Sequence, residues 1–193
     1  MKNTAEHILQ PEISFCKYPF KSYKEAYRVI KVDYSRYKKR LPKNFFDMLK
    51  LYVKSHGFSF TFWMRLSGVN GMFYPVCKIM HKRKMTKYGI QIRPNTKIGE
   101  GLYIGHGFVV VNPTAKIGSY CNLSQFTTIG SNKNKAATIG DHVYIGPGVC
   151  IVEDVHIGDN AKIGAGAVVI KDVPANATAV GVPARNIIKG KIQ

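Results

Sequence analysis

Large aliphatic residues recur every six positions through the second half of the chain, a spacing that neither a helix nor a simple strand produces. Glycine follows many of them, and a small or β-branched residue stands four positions after most of them. One extra residue interrupts the series after Val110, and four extra residues interrupt it after Ile129. The aliphatic positions are Ile92, Ile98, Ile104, Val110, Ile117, Leu123, Ile129, Ile139, Ile145, Ile151, Ile157, Ile163 and Val169.

A period of six fits one short strand and one turn, repeated as the side of a prism. Three such sides make a coil of about 18 residues, and stacked coils bury a continuous aliphatic column. Glycine after the aliphatic residue suits a tight corner, where a side chain would be strained. The sequence therefore predicts a mainly β fold built from stacked coils. An ordinary antiparallel sheet would not keep this register over thirteen positions.

The first half of the chain has helical spacing instead. Tyr23, Tyr27, Ile30, Tyr34 and Tyr37 are three or four residues apart, which places them on one face of a helix. Basic residues lie off this stripe. We expect the segment to end before Pro42, because proline interrupts a helix.

Further helices are predicted after this one. Asn44 is a candidate N-cap, with Asp47 in the first turn and Gly57 after the end. Two more apolar stretches follow, over residues 58–66 and 72–84. We expect these helices to cover the open end of the prism, which also protects unpaired strand edges.

Composition separates the two halves. Residues 1–88 hold 19 Lys and Arg against 5 Asp and Glu, a net charge of +14, whereas residues 89–193 hold 10 against 6, a net charge of +4. Of the 18 glycines, 15 lie from Gly89 onward. We therefore predict a basic α-helical N-terminal domain over 1–88 and a coil domain over 89–193 that ends in a short C-terminal tail.

The charge indicates an anionic partner but does not identify it. Contact with an anionic membrane face would use the aromatic segment and the basic residues after it: Phe58, Phe60, Phe62, Trp63 and Lys82–Lys84. We favour the simpler interpretation that these aromatic residues form a core between helices and between subunits, with membrane contact as the alternative. No nucleic-acid motif is present, so a nucleic-acid partner is not expected.

Several other classes of protein are disfavoured. The N-terminus lacks the basic-then-apolar pattern of a signal peptide, and no apolar run is long enough to span a membrane. The four cysteines show no C-x-x-C spacing, which argues against a zinc site and a disulfide scaffold. We expect a cytoplasmic protein, peripheral at the inner face of the cell membrane if membrane contact occurs, with no metal.

Histidine is the best general base near neutral pH, and one of the six histidines differs from the others. His106 lies between Gly105 and Gly107, which leave room for a substrate and for free backbone N–H groups. His142 and His156 fit turn or outward-facing positions, and His56 and His81 lie among the predicted helices. His7 lies near the N-terminus.

Three stretches resemble a known family: KYGIQIRPNTKIGEGLYIGHG, IGDHVYIGPGVCIVEDVHIGDNAKIGAGAVVIKDVP and AVGVPAR. They are similar to the hexapeptide-repeat acyltransferases, and within these to the serine acetyltransferase group, which includes O-acetyltransferases of surface polysaccharides. The resemblance implies a left-handed parallel β-helix, a homotrimer with sites between subunits, and acetyl-CoA as co-substrate. It also implies that His106 is the catalytic base.

The chain departs from the group's pattern where that pattern holds an amino acid. Gln91 stands where an Asp orients the base, Gly105 stands where an Asp holds the substrate's amino group, and residues 131–135 replace an Arg-His pair. The loop after His106 is also about one residue shorter. We therefore expect the hydroxyl of a sugar in surface polysaccharide biosynthesis as acceptor. L-Serine, in cysteine biosynthesis, is the alternative, and a non-catalytic membrane-associated scaffold is a second one.

The predicted site residues fall into three groups. His106 and Gln91 are assigned to catalysis. Acetyl-CoA needs close backbone approach for its pantetheine arm and cations for its phosphates, which we assign to Gly146, Gly164, Ala165, Lys171, Arg185 and Lys189. The acceptor is assigned to Arg93, Gly105, Asn112 and Gln125. A covalent route through Cys121 or Cys150 is the competing mechanism.

Overall fold

The structure is a computed structural model that describes residues 19–188 and 191–192. Four helices come first: α1 (Tyr23–Lys38), α2 (Phe45–Lys54), α3 (His56–Leu66) and α4 (Tyr74–Tyr88). Sixteen short strands follow: β1 (Ile90–Gln91), β2 (Lys97–Ile98), β3 (Tyr103–Ile104), β4 (Val109–Val111), β5 (Lys116–Ile117), β6 (Asn122–Leu123), β7 (Thr128–Gly130), β8 (Thr138–Ile139), β9 (Tyr144–Ile145), β10 (Cys150–Val152), β11 (His156–Ile157), β12 (Lys162–Ile163), β13 (Val168–Val169), β14 (Thr178–Val180), β15 (Arg185–Ile188) and β16 (Lys191–Ile192).

The strands form a three-sided left-handed parallel β-helix, as predicted. Every third strand pairs in parallel with its counterpart one coil away. We call the three sides face I (β1-β4-β7-β10-β13), face II (β2-β5-β8-β11) and face III (β3-β6-β9-β12-β14). On face III, Ile104, Leu123, Ile145 and Ile163 stack inward in register and are fully buried. The six-residue period therefore produces one continuous aliphatic core.

The register of the repeat differs from the prediction at one position. Val110 is 38% exposed, while Val109 and Val111 on either side of it are buried. Val111 pairs with Ile129 across the coils and holds the inward position. The extra residue is therefore in the turn before β4 rather than after it, and the buried residue four positions on is Ala115 instead of Thr114.

The helices cover the first coil and hydrogen-bond to its free edge. Along the strands, N–H groups of one coil donate to the next coil, as from Gly99 N to Ile117 O, so the strand carbonyl groups of the first coil have no strand above them. Buried Arg65 of α3 donates to the carbonyl oxygens of Ile98 (2.9 Å) and Gly99 (2.6 Å). Asp33 of α1 accepts from Arg65 and from the Leu102 N–H. The cap thus satisfies polar groups that the prism alone would leave unpaired.

Two details of the helices differ from expectation. In α1, Tyr27 is exposed, and Ala26, Val29 and Asp33 complete the buried face. Gly57 follows the end of α2 as predicted, but it does not cap that helix, because Ser55 is the C-cap of α2 and Gly57 lies inside α3. A Cβ at Gly57 would collide with the Ile104 carbonyl oxygen, so glycine here lets α3 approach the prism closely.

The aromatic residues named for membrane contact are mainly internal. Phe58 packs in the helical core, and Phe60 joins the core of the prism; neither is exposed. Phe62 and Trp63 are half-buried. The favoured interpretation, an internal core, is therefore confirmed for Phe58 and Phe60, and the membrane hypothesis is wrong for these two residues. Among the described helices, none has the length and apolar character that a membrane span requires.

The C-terminal end is more regular than the expected tail. β14 pairs with β15, and β15 pairs with β16, both antiparallel. These strands extend face III beyond the last coil. Helix α4 ends at Tyr88, Gly89 caps it in the left-handed conformation (φ 64), and β1 starts at Ile90.

Candidate active site

His106 lies in the turn between β3 and β4, which is fixed to the helical cap on both sides. Before it, the Tyr37 hydroxyl of α1 donates to the Ile104 carbonyl (3.0 Å) and accepts from the Ile104 N–H (3.1 Å). After it, the Phe108 N–H donates to the Tyr88 carbonyl at the end of α4 (3.0 Å). A Cβ at Gly107 would collide with that same carbonyl. Glycine at 107 is thus required for the contact that holds the turn.

The His106 side chain itself is exposed and makes no hydrogen bond within the described chain. The backbone N–H groups of His106, Gly107 and the neighbouring Gln125 also have no acceptor among the described residues. A base beside several free N–H donors is the arrangement that an acyl transfer needs, because the donors stabilise the oxyanion that forms.

Six of the predicted residues lie on one edge of the prism. The turns after β3, β6, β9 and β12 stack there, and we call this line the His106 edge (residues 105–108, 124–127, 146–149 and 164–167). The register of face III places Gln125, Pro147 and Ala165 successively below His106, and Ser124, Gly146 and Gly164 below Gly105.

Below Phe108 and Phe126, the next two coils of the His106 edge have no side chain at the equivalent position. These two rings are 61% exposed each and stack on one another, with centroids 5.4 Å apart. The corresponding positions in the next two coils are Gly148 and Gly166. A Cβ at Gly166 would meet nothing within 4 Å. The stacked rings of Phe108 and Phe126 therefore lie above an open surface that is lined by backbone atoms. We call this surface the strip (Gly148 and Gly166).

Face I adjoins this edge and bears no charge. Its outward column is Gln91, Val110, Thr128, Cys150 and Val168, one residue from each coil. Faces II and III carry Lys97, Lys116 and Lys162 in the equivalent columns. Gln91 is exposed, and no hydrogen bond joins it to His106 within the described residues. Its assigned orienting role stays a prediction.

The remaining predicted residues lie at the far edge of face I. Arg93 and Asn112 follow its first two strands, at equivalent turn positions. Asn112 shapes its own turn, accepting from the Thr114 N–H and hydroxyl at 2.9 Å each. Arg93 and Asn112 are therefore separated from His106 by the width of one face. Their assignment to the acceptor stays a prediction.

Two predicted phosphate ligands share a cavity at this far edge. Lys171 and Arg185 line a space of about 320 Å³, together with Ile170, Asp172, Val173, Pro183, Ala184 and Asn186. Asp172 is engaged elsewhere, since its carboxylate accepts from the His156 N–H (2.7 Å). Both cations are exposed, so an anion could reach them. Lys189 lies outside the described residues.

The inserted loop after β7 folds back on its own chain. The Ser131 hydroxyl donates to the Glu153 carboxylate (2.7 Å), and the Asn132 N–H donates to the same group. Residues 131–135 thus lie at the far edge of face I rather than beside His106.

The other described histidines are buried, stacked on another ring or located away from the His106 edge. Burial lowers the pKa of His81 to about 4, and this ring packs against Phe60. His142 stacks on Tyr120 at a different edge, and His56 stacks on Tyr88. His156 points outward from face II. His7 lies outside the described residues.

Neither candidate cysteine has the surroundings of a nucleophile. Burial raises the pKa of Cys121 to about 12, and its thiol donates to the Gly140 carbonyl inside the prism. Cys150 is half-buried on face I, where its neighbours Thr128 and Val168 offer no base. Within the described ranges no group of three or more His, Cys, Asp or Glu side chains is placed to hold a metal ion.

Comparison with known proteins identifies the family. Residues 136–171 match the model "Bacterial transferase hexapeptide (six repeats)". A serine acetyltransferase of Helicobacter pylori (strain J99) is 36% identical over 130 residues, which cover 62% of this chain and 72% of that protein. The chain belongs to the serine acetyltransferase family. The resemblance inferred from its repeat and motifs is thereby confirmed.

Solved serine acetyltransferases share the fold. The enzyme of Neisseria gonorrhoeae superimposes with a TM-score of 0.71 at 28% identity, over 88% of this chain and 69% of that one. Another serine acetyltransferase, in complex with CoA, gives a TM-score of 0.63 at 25% identity, over 85% and 73% of the two chains. A Synechocystis serine acetyltransferase is 45% identical over 104 residues, 51% of this chain and 42% of that protein. The chain spans less than half the length of several such relatives.

Proposed function

We propose that the chain is an acetyl-CoA-dependent O-acetyltransferase with His106 as general base. The observation that carries this is the position of His106, which is exposed at the first coil of an edge with three unpaired N–H donors among the described residues and an open strip below it. Family membership supports the same reaction class. The non-catalytic scaffold is disfavoured, because a scaffold has no need of this arrangement.

The reaction needs one proton carrier. Neutral His106 takes the proton from the acceptor hydroxyl, and the oxygen attacks the carbonyl carbon of the thioester. We assign the stabilisation of the tetrahedral oxyanion to the backbone N–H groups of Gly107 and Gln125, which have no acceptor among the described residues. The carbon–sulfur bond then breaks, and the His106 imidazolium returns its proton to the CoA sulfur. Direct transfer agrees with the buried, protonated state of Cys121.

Acetyl-CoA fits the edge and the cavity together. The strip at Gly148 and Gly166 has room for the thin pantetheine arm, since a Cβ at either position would meet no atom closer than 3.8 Å. Lys171 and Arg185, across the strand Val168–Val169, are available for phosphate oxygens. The relative solved with CoA supports this choice of co-substrate.

The acceptor is proposed to be L-serine, the alternative of the sequence analysis. Serine replaces the sugar hydroxyl that was expected from the sequence, because the relatives described above are all named serine acetyltransferases. A sugar hydroxyl stays the second candidate for one structural reason. No acidic residue lies on the His106 edge, so one chain alone supplies no counterion for the α-ammonium group of an amino acid.

A homotrimer is proposed as the working state. His106 is exposed in one chain, and the adjoining face I is uncharged, with Val110, Val152 and Ile170 exposed along it. Packing of a second chain near this face would bury apolar surface and give the site a second wall.

The cell interior is proposed as the location. The predicted contact with an anionic membrane is kept as a proposal, but on residues other than Phe58 and Phe60.

The test is an acceptor comparison. The purified chain is incubated with acetyl-CoA and either L-serine or a panel of nucleotide sugars and glycan fragments, and free thiol is measured. We expect serine-dependent thiol release well above the background hydrolysis of acetyl-CoA. Release with a sugar and not with serine would select the second candidate. No release with any acceptor, from a trimeric and folded sample, would reject the enzymatic proposal.

A further inference from the structure

Helix α2 exposes most of its large apolar residues. Phe45, Phe46 and Val53 are 67%, 70% and 73% exposed, and Leu49 and the preceding Leu41 are also open to solvent. At 100° per residue, positions 45, 49, 53 and 46 form one continuous stripe about 100° wide. Met48 and Leu51, on another side of the helix, anchor it to the helical core. The exposed stripe is therefore not the face that holds α2 in the fold.

The surroundings of this stripe are strongly basic. Residues 38–54 contain six cations, Lys38, Lys39, Arg40, Lys43, Lys50 and Lys54, and one anion, Asp47. All six cations are exposed. Asp47 is already paired, because Arg40 binds its two oxygens at 2.6 and 3.1 Å and the Lys43 N–H donates to it. No free carboxylate in this segment neutralises the remaining lysines.

The helix is fixed in place rather than loosely attached. The Asn44 side chain caps it by accepting from the Asp47 N–H (2.9 Å). Beside the stripe, an open apolar groove of about 300 Å³ is lined by Phe45, Met48, Leu49, Tyr52, Phe62 and Trp63. Trp63 donates to the Tyr52 hydroxyl in this region (2.8 Å). The cap at Asn44 and the buried Met48 and Leu51 hold α2 against the other helices.

We infer that α2 is a peripheral docking helix for an anionic lipid surface. Phe45, Phe46, Leu49 and Val53 enter the boundary between headgroups and acyl chains, and the flanking lysines meet the headgroup phosphates. This surface differs from the aromatic segment first named for membrane contact.

A second copy of the chain fits the stripe less well. In a two-fold contact the same patch faces itself, so the lysines of both copies would approach one another. Asp47 offers no compensation, because Arg40 occupies both of its oxygens. An anionic lipid surface supplies the missing negative charge and accepts the aromatic side chains at the same time.

The test is flotation of the full chain with vesicles. Phosphatidylcholine vesicles containing phosphatidylglycerol are compared with vesicles of phosphatidylcholine alone, without acetyl-CoA or acceptor. We expect binding to the anionic vesicles only. Binding should weaken when salt rises from about 0.1 M to about 1 M, since the Debye length falls from about 10 Å to about 3 Å. Equal binding to both vesicles, or no binding to either, would overturn the proposal.

Two pairs of substitutions test whether α2 is the surface that binds the lipid. Phe45→Ser with Phe46→Ser should lower the bound fraction at least about tenfold, because two buried phenylalanines contribute more than that to apolar transfer. The control is Val76→Ser with Ile79→Ser on α4, which removes similarly exposed apolar side chains and should keep binding. An equal loss in both would contradict the assignment to α2.

Two further measurements distinguish lipid binding from misfolding and from self-association. Trp63 is the single tryptophan and lies beneath α2, so its emission should shift on addition of anionic vesicles and not in the Phe45→Ser, Phe46→Ser variant. Light scattering tests the rival hypothesis that a second copy of the chain covers the stripe. If the Phe45→Ser, Phe46→Ser variant has a smaller assembly than the native chain, and the native chain ignores vesicles, the stripe is a contact between copies. Thiol release by the variant should be unchanged, so this proposal fails or succeeds apart from the catalytic one.

Discussion

The residues that fix the position of His106 do not touch its ring. Tyr37 binds the backbone of Ile104 before it, and the Tyr88 carbonyl binds Phe108 after it. Gly107 is needed because any side chain there would collide with Tyr88. The imidazole is thus exposed to solvent on a backbone that is held on both sides.

Gly105 gives a residue-scale test of the acceptor. Its φ is not in the left-handed region, and a Cβ there would meet only the Tyr103 ring at 3.4 Å, so a side chain fits. Gly105→Asp adds a carboxylate beside His106, where an α-ammonium group of serine lacks a partner. We expect the KM for serine to fall at least about tenfold, because a charge-assisted hydrogen bond contributes about 1.5–3 kcal/mol and about 1.4 kcal/mol corresponds to a factor of ten.

Gly105→Ala is the matched control, since it adds the Cβ without the charge. Thiol-release kinetics at varied serine concentration give both KM values. A rise in KM for serine in Gly105→Asp, with Gly105→Ala unchanged, would contradict an amino-acid acceptor and favour a neutral one.

Much of the site at this scale could be predicted from sequence, and some of it could not. His106 and the glycines of its edge belong to a repeat, so their spacing alone placed them in one line. Tyr37 and Tyr88 come from helices far away in the chain, and their contacts depend on how α1 and α4 pack against the prism. Arg93 and Asn112 were assigned to the acceptor, but the structure puts them at the other edge of face I.

At the scale of the element, the repeat predicted every coil, but it did not decide which residue of β4 faces the core. Val109, Val110 and Val111 are chemically identical, so the series could continue at any of them. The turn at His106 takes the extra residue, with Phe108 in the left-handed conformation (φ 59), and Val111 becomes the inward residue. A period identifies a coil reliably, but it cannot say which side of a strand absorbs an insertion.

Two neighbouring substitutions test this register. Val111→Ala removes buried methyl groups and should lower the free energy of unfolding by about 2 kcal/mol. Val110→Ala changes an outward residue and should cost less than about 0.5 kcal/mol in a single chain. Chemical denaturation of the monomeric chain, at protein concentrations too low for assembly, measures both. The opposite ranking would restore the register predicted from sequence.

The helices show the same limit. The stripe of tyrosines located α1 correctly, yet Tyr27 is exposed and Asp33 is buried. A buried aspartate looks improbable in sequence, because its partner Arg65 lies in another helix. Pairing with Arg65 and with the Leu102 N–H makes its burial acceptable, and these bonds attach the cap to the first coil.

At the scale of the whole molecule, the contact between cap and prism should depend on pH. Burial lowers the pKa of His81 from 6.5 to about 4. Between these values the unfolded chain binds more protons than the folded one, so stability falls as pH drops from about 6.5 toward 4, by up to about 3 kcal/mol. Denaturation midpoints measured across this range should decline less steeply in His81→Phe. Identical slopes for the two proteins would show that His81 is not buried in the neutral form.

The molecule as a whole offers two distinct surfaces for partners. Face I is uncharged and adjoins His106, which suits another copy of the same chain and a small substrate. The α2 stripe lies on the helical cap and is ringed by lysines, which suits an anionic surface. The strong positive charge of residues 1–88 was evident in the sequence, but only the packing of α3 revealed that Phe58 and Phe60 are inside and α2 is outside.

The most direct test of the catalytic account is thiol release from acetyl-CoA by His106→Ala. The account predicts a loss of at least about 100-fold in kcat, the usual scale for a general base, with an unchanged fold and assembly. His156→Ala, which removes another exposed imidazole on face II, should keep the native rate. A His106→Ala protein that works as fast as the native chain would contradict the account.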